Sequence, residues 1–392
     1  MKQQTLKYFT LLSVVTFILV ILTTCINMFK GYVADGFYLG ETILIVVTLL
    51  TLCIGLSYSK WQTNSIIRLL VYLFLLITTC TGNIFSLLMF ITILRNEQTS
   101  KYGIYNSWEN FIYKVRQNKI AFIGMVILVY MLTLSITSIF TFDTSLATQN
   151  HFNALLQNPS WAHPFGTDDF GRDLFTRIIA GAKLTFFISI VSVIIAVIFG
   201  MLLGTLAGYF TKADNGIMRI LDVFFAIPSL LLAVAIIASF GASTTNLIIA
   251  LSIGNIPSFA RTMRANVLEV KRTEYVEAAI ISGEQTPRIL WSYIFPNALA
   301  PIIIRFSLNI GAVVLTTSGL SFLGLGVAPE VPEWGNILRP GVQVVLILKH
   351  IVISQYFLGY VLCYSFLPLT LLAMPYVTHL IQKFNKRKGM TF

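Results

Sequence analysis

The sequence predicts an all-α protein that crosses a membrane many times, and three observations support this prediction. Of its 392 residues, 56% are hydrophobic and only 11% are charged. The mean hydropathy is +0.80. Several apolar runs are long enough to cross a hydrocarbon layer about 30 Å thick, which takes about 20 helical residues. These properties exclude a secreted, fibrous, disordered or nucleic-acid-binding protein.

The apolar runs divide into two groups. The first three form a block over residues 1–96, a basic amphipathic stretch at 97–118 follows as a cytoplasmic linker, and six runs fill residues 119–392. The stretch from Tyr8 to Met28 is longer than the apolar part of a signal peptide, so we predict a retained helix. Gly82 and Asn83 interrupt the third run, which is either one span or a broken or re-entrant pair. The runs lie at about 8–29, 38–58, 66–94, 119–141, 184–210, 217–240, 244–263, 298–326 and 353–381.

The net charge of +11 indicates membrane topology. In membrane proteins an excess of Lys and Arg marks cytoplasmic loops, so a polyanionic partner is the weaker interpretation. The basic loop between the 244–263 and 298–326 runs and the basic C-terminal tail are therefore predicted to be cytoplasmic, which puts 142–182 and 327–352 outside. Three crossings before residue 119 would put Met1 outside, which Lys2 and Lys7 oppose. The topology of the first block therefore stays open.

No residue pattern suggests a resident metal or a catalytic centre. The four Cys residues form no C-x-x-C pair, and the four His residues lack metal-ligand spacing. Because the ATP-binding pattern G-x-x-x-x-G-K-S/T is absent from the sequence, uphill transport would need an ion gradient or a separate ATPase. Ion coupling has weak support, since the six-run unit has few ionisable groups. Asp222 is spaced for an ion pair with Arg219, and Arg305 is expected to snorkel to the cytoplasmic face.

The segment from Glu274 to Pro301 is too polar to span and predicts a short helix, a bend and a second short helix. Gly283 can take the positive φ that the bend needs, and a second helix can begin at Pro296 after an extended residue. The small side chains at 278 and 279 let another surface come close, and Glu277 can fix its orientation. This shape suits docking into a partner's groove. The alternative is an amphipathic loop at the lipid interface.

Two further motifs are predicted to lie outside the membrane. HPFGTDDFGRD at 163–173 combines turn formers with charged residues, which suits a cap that docks a binding protein or seals a gate, or else a loop that only satisfies itself. LSFLGLG at 320–326 precedes PEWG at 332–335, where Trp334 is predicted to anchor a helix end at the lipid interface. The candidate outer residues are His163, Gly166, Thr167, Asp168, Gly171, Arg172, Asp173, Glu333, Trp334 and Gly335.

Other residues inside the spans indicate packing between helices or a path for the cargo across the membrane. Gly200, Gly204 and Gly208 repeat every four residues on one helix face and predict close helix packing. Pro228 predicts a kink. Uncharged polar side chains within spans either line a path or form hydrogen bonds between helices. These residues are Asn255, Asn309, Thr316 and Thr317.

The loop and the outer motifs together resemble a known family. The residues at 277–279, Gly283 and Pro296 stand at the spacing of the EAA loop of ATP-binding-cassette (ABC) importer permeases. The outer motifs resemble those of dipeptide, oligopeptide and nickel permeases, of the second subunit type, and the resemblance runs over about 108–340. It implies an all-α, type I six-helix transmembrane unit at 119–392, about three extra N-terminal helices and a coupling loop at about 265–297. The residues that it assigns to coupling are Glu277, Ala278, Ala279, Gly283, Pro296 and Asn297.

The resemblance also implies partners. Members pair with a second homologous permease, receive substrate from an extracellular binding protein, and insert the EAA loop into a cytoplasmic ATPase that binds ATP and Mg²⁺. The permease itself is then no enzyme and binds no cofactor directly. The expected location is the plasma membrane of a prokaryote, and the expected cargo is peptides, with nickel or a metal chelate second. An ion-coupled carrier and a non-transporting scaffold are the rival functions.

The chain departs from the family pattern at several places. Ile280 stands where members usually carry Arg, and the residues from Trp291 to Phe295 replace a basic pair. Thr317 stands where a membrane Glu is typical, and Pro375 to Lys383 replace the usual ending. The leading 95 or so residues have no counterpart in a six-helix member. These departures concern the contacts with cargo and ATPase more than the architecture.

Overall fold

The computed structural model describes residues 2–28, 31, 33–57, 64–80, 83–102 and 119–338. These residues contain no strand, which confirms the all-α class. The predicted span at 353–381, the C-terminal tail and most of the linker at 97–118 lie outside the described residues. The chain divides between Lys183 and Leu184 into two compact units. Its main helices are α1 (Lys2–Met28), α2 (Phe37–Leu56), α3 (Ser65–Cys80), α4 (Ile84–Tyr102), α5 (Lys119–Thr141), α6 (Leu174–Tyr209), α7 (Thr211–Ala226), α8 (Ser229–Phe240), α9 (Thr244–Lys271), α10 (Glu274–Ile281) and α11 (Phe295–Phe322).

Four segments of the described chain are helical, long and apolar enough to cross a membrane. The helices α7 and α8 add a broken span or a re-entrant loop, because they meet at an 85° bend. The bend has the cause that the sequence predicts, since the residue before Pro228 is extended (φ −88°, ψ 125°) and ends α7. The 28-residue α9 contains the predicted run 244–263 but is too polar to join this group. The four segments are Leu6–Met28, Phe37–Leu56, Leu174–Tyr209 and Pro301–Phe322.

In the first unit, α1 and α5 run in the same direction and α2 runs back between their ends. The rings of Tyr8 and Phe122, near the starts of α1 and α5, lie 5.7 Å apart. The backbone amide of Ala34, just before α2, donates to the carbonyl oxygen of Thr141 at the end of α5. Near the other end of α2, Gly55 packs against Thr10 of α1. The starts of α1 and α5 therefore lie on the same side.

The helices α3 and α4 form a hairpin that reaches only the middle of α1. The side-chain amide of Asn83, at the tip, donates to the hydroxyl of Ser13 at 2.8 Å. At 1.5 Å rise per residue, Ser13 lies about 16 Å from the start of α1. The α4 helix then runs back toward that start, where Thr10 contacts the sulfur of Met89 at 3.7 Å. The apolar parts of both helices, Ser65–Thr79 and Ile84–Leu94, are too short to span.

This hairpin changes the count of crossings in the leading block. The block contains four helices, where the sequence predicts about three, and its predicted boundary at 96 falls inside α4. Of the two alternatives for the run 66–94, the structure has two separate helices whose apolar parts are too short to span, which fits a broken or re-entrant pair. Only α1 and α2 then cross fully before α5, which removes the conflict between Lys2, Lys7 and the rule for basic loops.

In the second unit, the glycine repeat of α6 packs against α9. A β-carbon at Gly200 would lie 2.5 Å from Cβ of Phe259, and one at Gly208 would lie 2.8 Å from Cβ of Val267. A β-carbon at Gly204 would clash with the carbonyl oxygen of Ala260. The close packing that the sequence predicts is therefore present. It places α9 between α6 and α11, and α10 follows α9 directly.

Candidate functional site

The short helix α10 presents Glu277 and Ala278 on its outer face. Val276 and Ala279 on the opposite side are 0% and 7% exposed and belong to the core of the second unit. Ile281 is 80% exposed and adds an apolar side chain to the outer face. Of the three residues that name the EAA loop, the first two are thus available to a partner. The third holds the helix in place.

Gly283 ends α10 and turns the chain. Its φ is +77°, and a β-carbon there would meet no atom within 4 Å, so the backbone conformation alone favours glycine. The amide of Gly283 donates to the carbonyl oxygen of Ile280 at 3.0 Å, and that of Glu284 donates to Ala279 at 3.1 Å. These two bonds form a Schellman motif. The predicted bend is therefore present and is fixed by backbone hydrogen bonds.

A helix does begin at Phe295 with Pro296 in its first turn, but the prediction of an extended residue before Pro296 is wrong. The chain is helical again at Thr286–Arg288, passes through a π-helical turn at Ile289–Ile294 and continues without a break into α11. The residue before Pro296 is helical (φ −56°, ψ −50°) rather than extended. The wider turn gives the proline ring room inside a continuous helix. Asn297 supports this turn, because its amide donates to the carbonyl oxygen of Tyr293 at 2.6 Å.

Two basic side chains of α9 fix the helices next to α10. The ammonium group of Lys271 donates to the carbonyl oxygen of Tyr209, the last residue of α6, at 2.8 Å. This bond satisfies one of the carbonyl groups that a helix end leaves without a partner. Arg264 makes two hydrogen bonds, of 2.5 and 2.6 Å, to the carboxylate of Asp214 on α7. The helix α10 therefore follows an anchored helix end.

The outer loop at 163–173 is held together by its own carboxylates. One oxygen of Asp168 accepts from the backbone amide of Arg172 at 2.8 Å, and the other accepts from its guanidinium at 2.7 Å. Asp173 accepts two bonds from Thr176 in the first turn of α6 and lies 3.0 Å from Nδ1 of His163. Asp168, Arg172 and Asp173 are each at most 4% exposed. These three charged residues thus form the interior of the loop, whereas Asp169 is exposed.

The uncharged residues of the motif have the same internal role. The hydroxyl of Thr167 donates to the carbonyl oxygen of Ala154 at 2.5 Å and accepts from the amide of Gln157 at 2.8 Å. Gly166 and Gly171 lie so close to neighbouring carbonyl oxygens that a β-carbon at either would clash. The self-satisfied loop, one of the alternatives from the sequence, therefore describes these residues. Large exposed side chains before the motif, which the sequence analysis missed, are Phe152, Leu155 and Trp161.

Arg177, in the first turn of α6, is a further residue that the sequence analysis missed. Its Nη1 donates to the carbonyl oxygen of Ala147 at 2.7 Å, and its Nε lies 3.6 Å from Asp168. Asp168 and Ala147 are too far from Arg177 in sequence for a helical i,i+4 pair, so no local pattern signals these contacts.

The PEWG turn is joined to α6 through Glu333. This side chain is 0% exposed. Its carboxylate accepts from the hydroxyl of Thr185 at 3.0 Å and from the backbone amides of Gly335 and Asn336 at 2.8 and 3.3 Å. It therefore caps the helical turn at 334–338. Burial raises the pKa of Glu333 above its usual value. The sequence analysis missed Thr185, whose relation to Glu333 has no local sequence signal.

The prediction that Trp334 anchors the chain at the lipid interface is wrong. The side chain is 1% exposed, and its ring meets that of Phe186 edge to face at 5.5 Å. Gly335 lies against α11, since a β-carbon there would lie 2.7 Å from Cβ of Ser321. The turn is therefore packed inside the protein rather than against lipid.

The polar residues predicted to line a path have different environments. The amide of Asn309 donates to the side-chain oxygen of Asn255 at 3.0 Å, which is the interhelical hydrogen bond of the alternative interpretation. Thr317 is 0% exposed and Thr316 is half-buried. Arg305 donates to two hydroxyl groups of α9. The structure thus brings the two asparagines together, whereas Thr317 lies in the interior of the unit.

The predicted ion pair between Arg219 and Asp222 is wrong. Asp222 pairs instead with Arg261 of α9, at 2.5 Å. The guanidinium of Arg261 also lies 3.7 Å from the ring centroid of Phe225 on α7, which holds it beside this helix. A contact between helices therefore replaces the contact within one helix.

Comparisons with known proteins extend these observations. Residues 196–386 match the family model described as binding-protein-dependent transport system inner membrane component. A dipeptide transport system permease protein of Alkalihalophilus pseudofirmus is 40% identical over 62% of this chain and 80% of the relative. A glutathione transport system permease protein of Pectobacterium atrosepticum is 41% identical, over 52% and 69%. An oligopeptide transport system permease protein of Bacillus subtilis is 33% identical, over 62% and 80%.

The similarity to solved structures is weaker. A crystal structure of an amino acid ABC transporter with histidines matches 54% of this chain and 94% of that chain, at 16% identity and a TM-score of 0.39. This level of similarity supports no conclusion about the fold.

Proposed function

The chain belongs to the family of inner membrane components of binding-protein-dependent transport systems, and on that premise we propose that it is a permease subunit of an ABC importer for peptides. It forms half of the path across the membrane, and a second homologous permease forms the other half. The similarity to dipeptide, oligopeptide and glutathione permeases supports peptides as cargo.

One observation supports this proposal most strongly. Glu277 and Ala278 lie exposed on a short helix whose opposite side is buried and whose end is fixed by the turn at Gly283. After that turn the chain continues as one helical segment, from residue 286 to the end of α11. A force applied to α10 therefore reaches α11 through residues 282–294, most of which are helical. This arrangement suits a coupling element.

In the proposed mechanism, α10 docks in a groove of a cytoplasmic ATPase that binds ATP and Mg²⁺. Glu277 sets the orientation, and the small side chain of Ala278 lets the ATPase surface come close. ATP binding draws the two permeases' coupling helices together, and hydrolysis lets them part. The ATPase must bind the two states of the permease pair with different free energies, because otherwise ATP would shift nothing. The permease performs no chemistry.

We propose that the outer loop at 163–173 and the residues just before it bind the substrate-binding protein outside the membrane. Because its charged residues are bonded to one another, the loop keeps its shape without a partner. We expect the exposed side chains of Phe152, Leu155 and Trp161 to meet a substrate-binding protein, since exposed aromatic residues are typical of protein interfaces.

The test uses the complete importer, purified and reconstituted with its ATPases and binding protein. Ala278→Arg adds a long charged side chain to the docking face and should reduce ATP-driven peptide uptake to background while ATPase binding is lost. Lys212→Glu, on the exposed side of α7, is the control and should leave uptake within a factor of two of the parent. Uptake that survives Ala278→Arg with the ATPase still bound would contradict the proposed coupling.

A further inference from the structure

An apolar cavity of about 540 Å³ lies in the first compact unit, beyond the tip of the α3–α4 hairpin. Leu39, Gly40 and Ile43 of α2 line one wall, and Phe140 of α5 lines the other. Ile77, near the end of α3, closes the cavity toward the hairpin. The cavity therefore lies between α2 and α5, next to the end of α3.

The depth of the cavity follows from the contacts of the hairpin. Asn83 at the tip is bonded to Ser13, halfway along α1, so the second half of α1 has no hairpin beside it. In the topology predicted from the sequence, this part of α2 and α5 lies at the depth of the lipid hydrocarbon. The cavity walls are exposed there, with Leu39 at 72%, Ile77 at 66% and Phe140 at 57%. Water gains no hydrogen bonds from such walls, so the cavity suits an apolar occupant.

The shape of the cavity selects a thin occupant. The walls converge at Gly40, where a β-carbon would lie 3.7 Å from the carbonyl oxygen of Phe140. An α-helix with its side chains is about 10 Å across and cannot enter such a cleft. A single hydrocarbon chain is thin enough to enter it. Asp35, which is exposed and directly precedes the lining residue Gly36, gives the cavity a polar mouth.

We propose that this cavity binds one acyl chain of a membrane lipid, with the lipid head group at the level of Asp35. A polar mouth above an apolar cleft matches an amphiphile, and the two small residues Gly36 and Gly40 make room for its chain. The hairpin sets the floor of the site. The leading block thus carries a lipid site that is separate from the proposed coupling loop.

The test uses a phosphatidylethanolamine that carries a photoreactive diazirine in the middle of one acyl chain. It is added to vesicles that contain the assembled importer, and the labelled peptides are identified by mass spectrometry. Labelling should concentrate several-fold on 36–43 and 137–140 relative to the outward-facing Leu49 and Leu50 of α2. Even labelling along α2, or the absence of labelling at 36–43 once the partner subunits are bound, would overturn the proposal.

A pair of matched variants sharpens this test. Ile43→Trp puts a large ring into the cavity and should reduce the labelling at 137–140 to less than half. Ile45→Trp changes a side chain of similar exposure, 44% against 47%, that does not line the cavity, and should leave labelling unchanged. Should Ile43→Trp fail to fold, Gly36→Leu replaces it, because a β-carbon at Gly36 meets no atom within 4 Å. Equal labelling in the filled and control variants would also overturn the proposal.

Discussion

The carboxylate of Glu333 accepts a hydrogen bond of 3.0 Å from the hydroxyl of Thr185, 148 residues earlier in the chain. The same carboxylate caps the helical turn at 334–338 through the amides of Gly335 and Asn336. One buried side chain therefore joins the end of the LSFLGLG…PEWG region to α6. The family motif at this place has a structural role in the second unit that is independent of any contact with a partner.

This relationship predicts how Glu333 affects stability. Glu333→Ala leaves buried donors without an acceptor, which costs about 1–3 kcal/mol for each such group. We expect the midpoint of thermal unfolding, measured by tryptophan fluorescence of the purified chain in detergent, to fall by several degrees. Glu333→Gln keeps an acceptor oxygen and should lose much less. Equal losses in the two variants would contradict a role for these hydrogen bonds.

The pKa of Glu333 predicts the pH dependence of stability. Burial raises the folded-state pKa above that of the unfolded chain, near 4.3. The folded state then binds the proton more tightly, so the contribution of Glu333 is greatest below the unfolded pKa and is lost as pH rises through the folded pKa. The difference in unfolding free energy between the parent and Glu333→Gln should therefore shift in favour of the parent as pH falls from 7 to 5. A shift in the opposite direction would exclude a raised pKa.

The glycine repeat predicts that adding even one methyl group lowers the free energy of unfolding. Gly204→Ala places a β-carbon against the carbonyl oxygen of Ala260, so α6 and α9 must move apart, at about 1–3 kcal/mol. Gly216→Ala on α7 is the control, because a β-carbon there meets no atom within 4 Å. Alanine is the better helix former, so the control should be neutral or more stable by up to about 1 kcal/mol. Chemical denaturation in detergent measures both values.

Trp334 and Trp291 predict losses of stability of very different size for the same substitution. Trp334 is 1% exposed and packs on Phe186, so Trp334→Ala should cost about 3–5 kcal/mol. Trp291 is 69% exposed on the π-helical turn, so Trp291→Ala should change stability by less than about 1 kcal/mol. The free energy of unfolding in detergent is the measurement. A larger loss at Trp291 would contradict the burial of Trp334.

The two tryptophans also show what the sequence could predict and what it could not. Apolar run lengths predict the helices, and Gly283 and Pro228 predict turns, because these features depend on nearby residues. The burial of Trp334 depends on Phe186, far away in the chain, and no local pattern contains that information. The same holds for Asp222, which pairs with Arg261 rather than with its neighbour in sequence. The short hairpin was one of two open alternatives, since Gly82 and Asn83 interrupt the run without fixing its depth.

The half-length hairpin predicts the sidedness of the leading block. Single cysteines are introduced at Asp35, Ser65 and Asn153 after the four native cysteines have been replaced, and an impermeant maleimide is added to intact cells. With two full crossings before α5, Asp35 and Asn153 lie on the same side and should both be labelled, whereas Ser65 should be labelled only after the membrane is opened. A single span over residues 66–94 would make three crossings before α5. It would then put Asp35 inside and Ser65 outside, so labelling of Ser65 together with Asn153 in intact cells would exclude the re-entrant arrangement.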